Sequence, residues 1–275
     1  MSGPGVGSGP LPRAAGPRAS APRTPAGGGI PQFSGADMAG LLTPAAAADA
    51  LADALRGGLD PEGCPPRTAL AAPGGGELLL MPAASAAYAG VKIAGVAPDN
   101  PARGLPRITG SYLLLDGPTL RPLALLDGAA LTTLRTPAVS ALALRHLAPA
   151  GRPLRLVLFG SGPQAYGHLE ATLAVRELAE VVVVARRPEG ARELAAYART
   201  LGPAARTGTA QDVAGADLVI CCTTAREPLF DGRLAGPGAT VVGGGGRPPP
   251  PPGGAPPPPP PRGAGVCVGG GAAPA

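Results

Sequence analysis

The sequence predicts an α/β fold in which a parallel-sheet unit packs with a smaller α+β unit, between two low-complexity, disordered ends. Three observations carry this reading. The apolar runs LRLVLFG, VVVVA and LVICCTT alternate with helical patterns, the order expected of parallel strands joined by crossover helices. Upstream, ELLLMPA, GVKIAGVAP and GSYLLLD are short apolar runs separated by Gly and Pro turns, which read as one antiparallel or mixed sheet. The 44 glycines and 38 prolines, about 30% of the 275 residues, crowd before Ile30 and after Val242, where they give low-complexity text. The foldable part therefore runs from about Ile30 to Val242.

In chain order, Thr43 before Pro44 matches an N-cap followed by Pro at the first helical position, and predicts a helix from Pro44 to about Leu55. The three sheet runs follow. LDGAALTTLRTPAVSALALRHLA has apolar residues at helical spacing from Leu126 to Leu147, and Pro137 within it predicts two abutting helices. Next come the strand LRLVLFG, a helix from Gln164 to Arg176, the strand VVVVA, a helix from about Glu189 to Leu201, and the strand LVICCTT. TVVG at 240–243 supplies the next strand.

Composition excludes several classes. The formal charge is +5, but the arginines are scattered through every segment and aromatics make up only 3%, which argues against nucleic acid. Cys64, Cys221, Cys222 and Cys267 lack metal-site spacing and read as buried free thiols in a reducing cytosol, with no metal expected. The N-terminal stretch has no apolar signal core and no run approaches the length of a membrane span. The expectation is a soluble, cytoplasmic protein without a membrane partner.

The strand LRLVLFG ends in GSGPQA and opens a helix. Gly160 would make the tight turn, Gly162 would let the backbone approach phosphates, and the small Ala165 would let helix and strand pack closely. The helix N-terminus then offers unpaired N–H groups and the positive end of its dipole to an anion. This reads as a dinucleotide-binding unit. A unit preferring NAD commonly ends its second strand in Asp or Glu to take the ribose hydroxyl. Here Ala185, Arg186 and Arg187 stand in that place, which predicts NADP(H) as the preferred cofactor, with NAD(H) possible. The alternative is that both arginines are solvated residues at a helix start.

Lys92 is the only lysine among 23 basic residues. It lies in GVKIAGV between apolar neighbours, where an idle charge is costly to bury. Its readings are a functional ammonium or an edge-strand lysine reaching solvent. Arg135, in LTTLRTPA, could clamp a carboxylate through its bidentate fork, or be a surface or ion-paired arginine. His146 and His168 lie in helical text with no nucleophile pattern around them and read as packed or capping residues.

Together, ELLLMPA, GVKIAGVAPDNPARGLP, LALLDGAALTTLRTPAVSALA, FGSGPQAYGHLEA and CCTTAREPLF resemble the ornithine cyclodeaminase/mu-crystallin family, in order from about Pro66 to Arg247. The resemblance implies a Rossmann NAD(P)-binding domain over 151–246 and a substrate-binding and dimerisation domain over 30–150, in a homodimer. Residues 1–29 and 247–275 would be a disordered Pro/Gly/Ala-rich segment and a polyproline tail.

The implied activity is ornithine cyclodeaminase-like: NAD(P)-dependent chemistry at the α-carbon of an amino or imino acid, as cyclodeamination, ketimine reduction or amino acid dehydrogenation. By motif position, Arg67 (PPRTAL) and Arg135 would hold the substrate carboxylate and Lys92 would polarise or protonate the substituent on the reacting carbon. Gly160, Ser161, Gly162, Pro163, Gln164, Ala165, Arg186, Arg187, Thr223 and Thr224 would hold the cofactor. Arg107, in GLPRITG, falls where relatives often carry Ser or Thr. The resemblance puts Gly246 where the family has a catalytic Asp or His, so the alternative expectation is an inactive or truncated dinucleotide-binding member.

Overall fold

The computed structural model describes residues 29–225 and 227–243. The two low-complexity ends, Gly246 and Cys267 lie outside them.

The first sheet comprises β1 (Gln32–Phe33), β2 (Thr68–Ala72), β3 (Gly76–Ala84), β4 (Tyr88–Val96), β5 (Ile108–Asp116) and β6 (Pro122–Asp127), in the order β1-β6-β5-β4-β3-β2. β2 to β6 form an antiparallel meander, and β1 adds in parallel to β6, so the sheet is mixed. The three expected runs are β3, β4 and β5. β2, with the sequence TALAA, has little of the β-branched character that marks a strand and is held by its ladder to β3.

Two short helices, α1 (Gly35–Leu41) and α2 (Pro44–Arg56), precede the meander. α2 starts as expected: the Thr43 side chain accepts from the amide of Ala46, with Pro44 in the first turn. α1 was not expected from sequence. Its capping box is Ser34 with Asp37 three residues on, their side chains and backbone amides bonded reciprocally.

α3 (Gly128–Leu147) corrects the expectation of two abutting helices, because it runs unbroken through Pro137. A helix-interior proline costs roughly 3 kcal/mol. Here tertiary packing offsets that. The Pro137 ring sits in a notch of the next helix at Gly167, and Ala138, Ala141 and Leu144 are completely or almost completely buried. α3 is wedged between the first sheet, α2 and α4, and this packing holds it continuous.

The second sheet is fully parallel. β7 (Leu154–Phe159), β8 (Leu178–Val184), β9 (Ala204–Thr207), β10 (Leu218–Cys221) and β11 (Thr240–Gly243) stand in the order β11-β10-β7-β8-β9. α4 (Pro163–Leu173) and α5 (Pro188–Thr200) are the first two crossovers. β7 therefore has β8 on one side and β10 on the other, so the chain reverses its direction of progress between β7 and β10. Ligands of open α/β sheets bind at the carboxyl ends of strands flanking such a switch point. The fold is α/β, with a Rossmann-type parallel sheet packed against a smaller α+β unit.

Candidate active site

The Gly-rich turn leaves β7 at the switch point. Gly160 has φ +108°, in the region that favours glycine, and a Cβ there would stand 2.4 Å from the Cys222 carbonyl oxygen at the end of β10. The ladder extends into the turn on both sides: the Gly160 amide donates to the Val184 carbonyl at 2.9 Å and the Cys222 amide to the Phe159 carbonyl at 2.8 Å. Gly162 is the N-cap of α4 and has no side chain to cap the first-turn amides. A Cβ on it would meet nothing within 4 Å, so the space in front of the helix is open. Ala165 is fully buried between helix and sheet. Backbone approach, an uncapped helix start and open space fit the diphosphate of a dinucleotide.

The other residues expected around this turn are distributed along its rim. Ser161 points its hydroxyl at Gly190 in α5, where a glycine Cβ would be 2.5 Å away. Arg187, the N-cap of α5, brings its guanidinium to the same spot, 3.9 Å from that position. Arg186 and Arg187 are both exposed just after β8. Thr223 and Thr224 follow Cys222 at the end of β10, and Thr223 Oγ1 accepts from the Ala225 amide at 3.3 Å. Pro163 occupies the first helical position of α4.

The second half of the site lies on the first sheet. β4 is an interior strand, with β3 and β5 as its neighbours, so the reading of Lys92 as an edge-strand lysine is corrected. Its register pairs it with Met81 on β3 and Tyr112 on β5. All three side chains share the face covered by α3, because strand neighbours alternate and Gly90 and Ala94, two positions either side of Lys92, are buried there. α3 comes down closely at its start. A Cβ on Gly128 would be 2.8 Å from the backbone of Gly110 and Ser111 in β5. One turn later, Thr132 is over the strand, and Lys92 Nζ donates to Thr132 Oγ1.

Arg135, one further turn along α3, reaches the same cleft. The residue is exposed, yet its guanidinium pKa is lowered, first by desolvation and then by the charge of Arg67. Lys92 is likewise held below the ordinary lysine value, by desolvation and then by Arg135. Lys92 and Arg135 are therefore neighbouring cations in partly desolvated surroundings, with the exposed Arg67 close enough to act on Arg135. Such a group is suited to an anionic ligand, whose charge would relieve the repulsion. Tyr112 is neutral beside it, its pKa raised by burial.

The two halves meet through α3 and α4. Gln164, in the first turn of α4, donates through Nε2 to the Thr132 carbonyl at 3.4 Å. Deeper in, Ser140 and His168 Nε2 are 3.0 Å apart, and His168 Nδ1 lies 2.7 Å from the Gln164 carbonyl. With Nδ1–H donating to that carbonyl, Nε2 accepts from Ser140. Burial lowers the His168 pKa, which fits this neutral, packed role. Sequence reasoning found Lys92 and Arg135 but not Thr132 between them. Its signal was its place one helical turn before Arg135 in LTTLRT.

Other expectations fall outside this constellation. Arg107 is exposed, and its backbone carbonyl accepts from Ala97. The expectation of buried thiols is corrected for Cys64, which lies exposed in a polar turn. Cys221 and Cys222 are half-buried at the end of β10, and burial, with Cys221 beside it, pushes the Cys222 thiol up to about 12. No group of three potential metal ligands occurs among the described residues, nor is any single helix there long and apolar enough to cross a membrane.

Residues 40–250 match the ornithine cyclodeaminase/mu-crystallin family, and the chain belongs to it. It is 35% identical to a Delta(1)-pyrroline-2-carboxylate reductase of Bacillus thuringiensis subsp. konkukian over 161 residues, 57% of this chain and 49% of that protein. The chain thus spans about half the length of that relative. Among solved structures, it resembles Thermococcus litoralis Delta(1)-pyrroline-2-carboxylate reductase in complex with NADH and L-proline, with a TM-score of 0.70 and 28% identity over 78% of this chain and 68% of that one. An archaeal alanine dehydrogenase dimer with bound NAD gives a TM-score of 0.70 and 27% identity over 77% of this chain and 66% of that one.

Proposed function

We propose that this protein is a nicotinamide-dependent enzyme acting at the α-carbon of a small amino or imino acid, with reduction of a cyclic imino acid as its reaction. The observation that carries this reading is the convergence of an open phosphate turn with the Lys92, Arg135 and Arg67 group, joined through the α3–α4 contact. The named activities of the reductase relatives favour imine reduction over cyclodeamination.

A bound nicotinamide would supply the hydride for the α-carbon, held by Gly160 to Ala165 and by the rim residues Thr223 and Thr224. Arg67 and Arg135 bind the carboxylate, which fixes the α-carbon relative to the turn. Lys92 holds a proton at the imine nitrogen. The ammonium would give that proton to the nitrogen on reduction of the C=N bond, an interaction that strengthens as the nitrogen gains electron density towards the transition state. Of the two arginines after β8, Arg187 is turned toward the phosphate turn and is our choice for a ribose 2′-phosphate, which favours NADP(H).

The same reading includes a homodimer formed through the first sheet. The face away from α3 carries Leu70, Leu80, Val91, Ile93 and Leu113, with Leu70 61% and Ile93 41% exposed. An apolar sheet face of this extent is characteristic of an interaction surface, and the related alanine dehydrogenase is a dimer.

The test is a coupled pair of assays on purified protein. Δ1-pyrroline-2-carboxylate should drive net NADPH oxidation, lost by a factor of roughly 10²–10⁴ in Lys92→Ala. Proline and ammonia formed from ornithine with no net change in nicotinamide absorbance would replace the reductase reading with cyclodeamination. Failure to turn over either compound would overturn the assignment.

A further inference from the structure

We infer that Thr132 is a positioning residue that keeps the Lys92 ammonium charged and aimed at the reacting atom. The inference rests on the proposed role of Lys92. The Thr132 hydroxyl has one proton. That proton is donated to the Gly128 carbonyl, one helical turn back, at 2.7 Å. Oγ1 therefore faces Nζ only as an acceptor, and Lys92 must be the donor. One N–H of the lysine is tied to the helix, which leaves its remaining positions directed into the cleft.

An acceptor oxygen favours the charged amine over the neutral one. The charged and titratable groups around Nζ are Arg135 on the same helix, Tyr112 across the strand pair and, beyond Arg135, Arg67. Desolvation and Arg135 both drive the ammonium toward losing its proton. Thr132 opposes them. The same residue's backbone carbonyl receives Gln164 from the phosphate-turn helix, so the group that aims the lysine is also registered against the cofactor side. A valine has nearly the same shape and lacks the hydroxyl, both the acceptor for Lys92 and the proton given to the Gly128 carbonyl, whereas serine keeps both.

The chain has a single lysine, which makes a direct measurement possible. In the full-length protein labelled with lysine carrying ¹³C at Cε, one lysine signal reports the Lys92 titration. Thr132→Val should lower its midpoint by about one pH unit, the size of a lost hydrogen bond to a charged group. Thr132→Ser, which keeps the hydroxyl, should titrate within a few tenths of a unit of wild type. A valine variant that titrates with wild type, or above it, overturns the inference. Should Thr132→Val fail to fold by circular dichroism, Thr132→Ala carries the same expectation.

The readout needs no turnover, so it is separable from the proposed reaction. If wild type is inactive on both substrates, the reaction assignment falls while the lysine titration still decides the role of Thr132. If wild type is active, the alkaline limb of kcat/KM should move down by the same unit in Thr132→Val and return in Thr132→Ser. A limb that stays in place in Thr132→Val overturns the catalytic part of the inference.

Discussion

The two sheets of this protein are finished to different degrees. In the parallel sheet, Leu154, Leu156, Val157, Leu158, Val181 and Ile220 have no exposed surface. Its faces are closed by two separate apolar clusters, one against α3, α4 and α5, the other against the loop residues Leu229 and Phe230. In the first sheet, the buried apolar side chains are only Ala94 and Ala124. Its leucines and valines are half-exposed, and Leu70, Ile93 and Ile108 are more open still. One chain suffices to bury a doubly covered parallel sheet, whereas the meander has a helix on one face and apolar residues on the other. The first region is closed by its own chain on both faces, and the second leaves apolar side chains open on the face away from α3, the surface proposed above to meet a second subunit.

The largest expected effect is at the seam of the parallel sheet. Gly160→Val would combine a disallowed φ with a collision against the Cys222 carbonyl, and should cost more than about 3 kcal/mol and abolish cofactor binding, read by thermal melting and by nucleotide fluorescence titration. Next comes a matched pair of truncations. Ile220→Ala should cost about 2–5 kcal/mol in denaturant unfolding, while Ile93→Ala should cost less than about 1 kcal/mol in the isolated subunit. Equal losses at the two positions would break the contrast between the sheets.

Ile93→Glu sharpens the same contrast from the other side. If the proposed dimer forms through this face, a charge there should shift the species seen by light scattering from dimer to monomer, with the fold intact by circular dichroism. An unchanged mass would remove the outer face as the interface.

A smaller effect follows from the joint between the two regions. Burial keeps the His168 pKa below 6.5, so below that pH the unfolded chain takes up a proton that the folded one refuses. Stability should then fall as pH drops from about 7 toward the folded value, with a slope of up to about 1.4 kcal/mol per pH unit. His168→Gln should flatten this dependence between pH 7 and 5, whatever it costs in absolute stability. The smallest effect is on cofactor choice: Arg187→Ala should reduce the ratio of NADPH to NADH affinity by roughly tenfold, the loss of one charged hydrogen bond.

Local patterning determined much of this in the sequence alone. Continuous apolar runs bounded by Gly and Pro located β3, β4, β5, β7, β8 and β10, because strand burial and turn chemistry are both written in neighbouring residues. The Gly160, Gly162 and Ala165 spacing was legible for the same reason, since the turn and the start of the helix it opens are six residues of contiguous chain. Lys92 was conspicuous from composition, and the role expected for it with Arg67 and Arg135 came from family resemblance. Only the tertiary structure decided the rest. β1 and β2 are strands because β6 and β3 are there to pair with them. α3 crosses Pro137 because packing on α4 and α2 outweighs a local penalty. Thr132 meets Lys92 across 40 residues of chain because Gly128 lets α3 settle against β5, a close approach that no periodicity records. Propensity and pattern act over a few residues, whereas the cleft is set by how helix and sheet pack together.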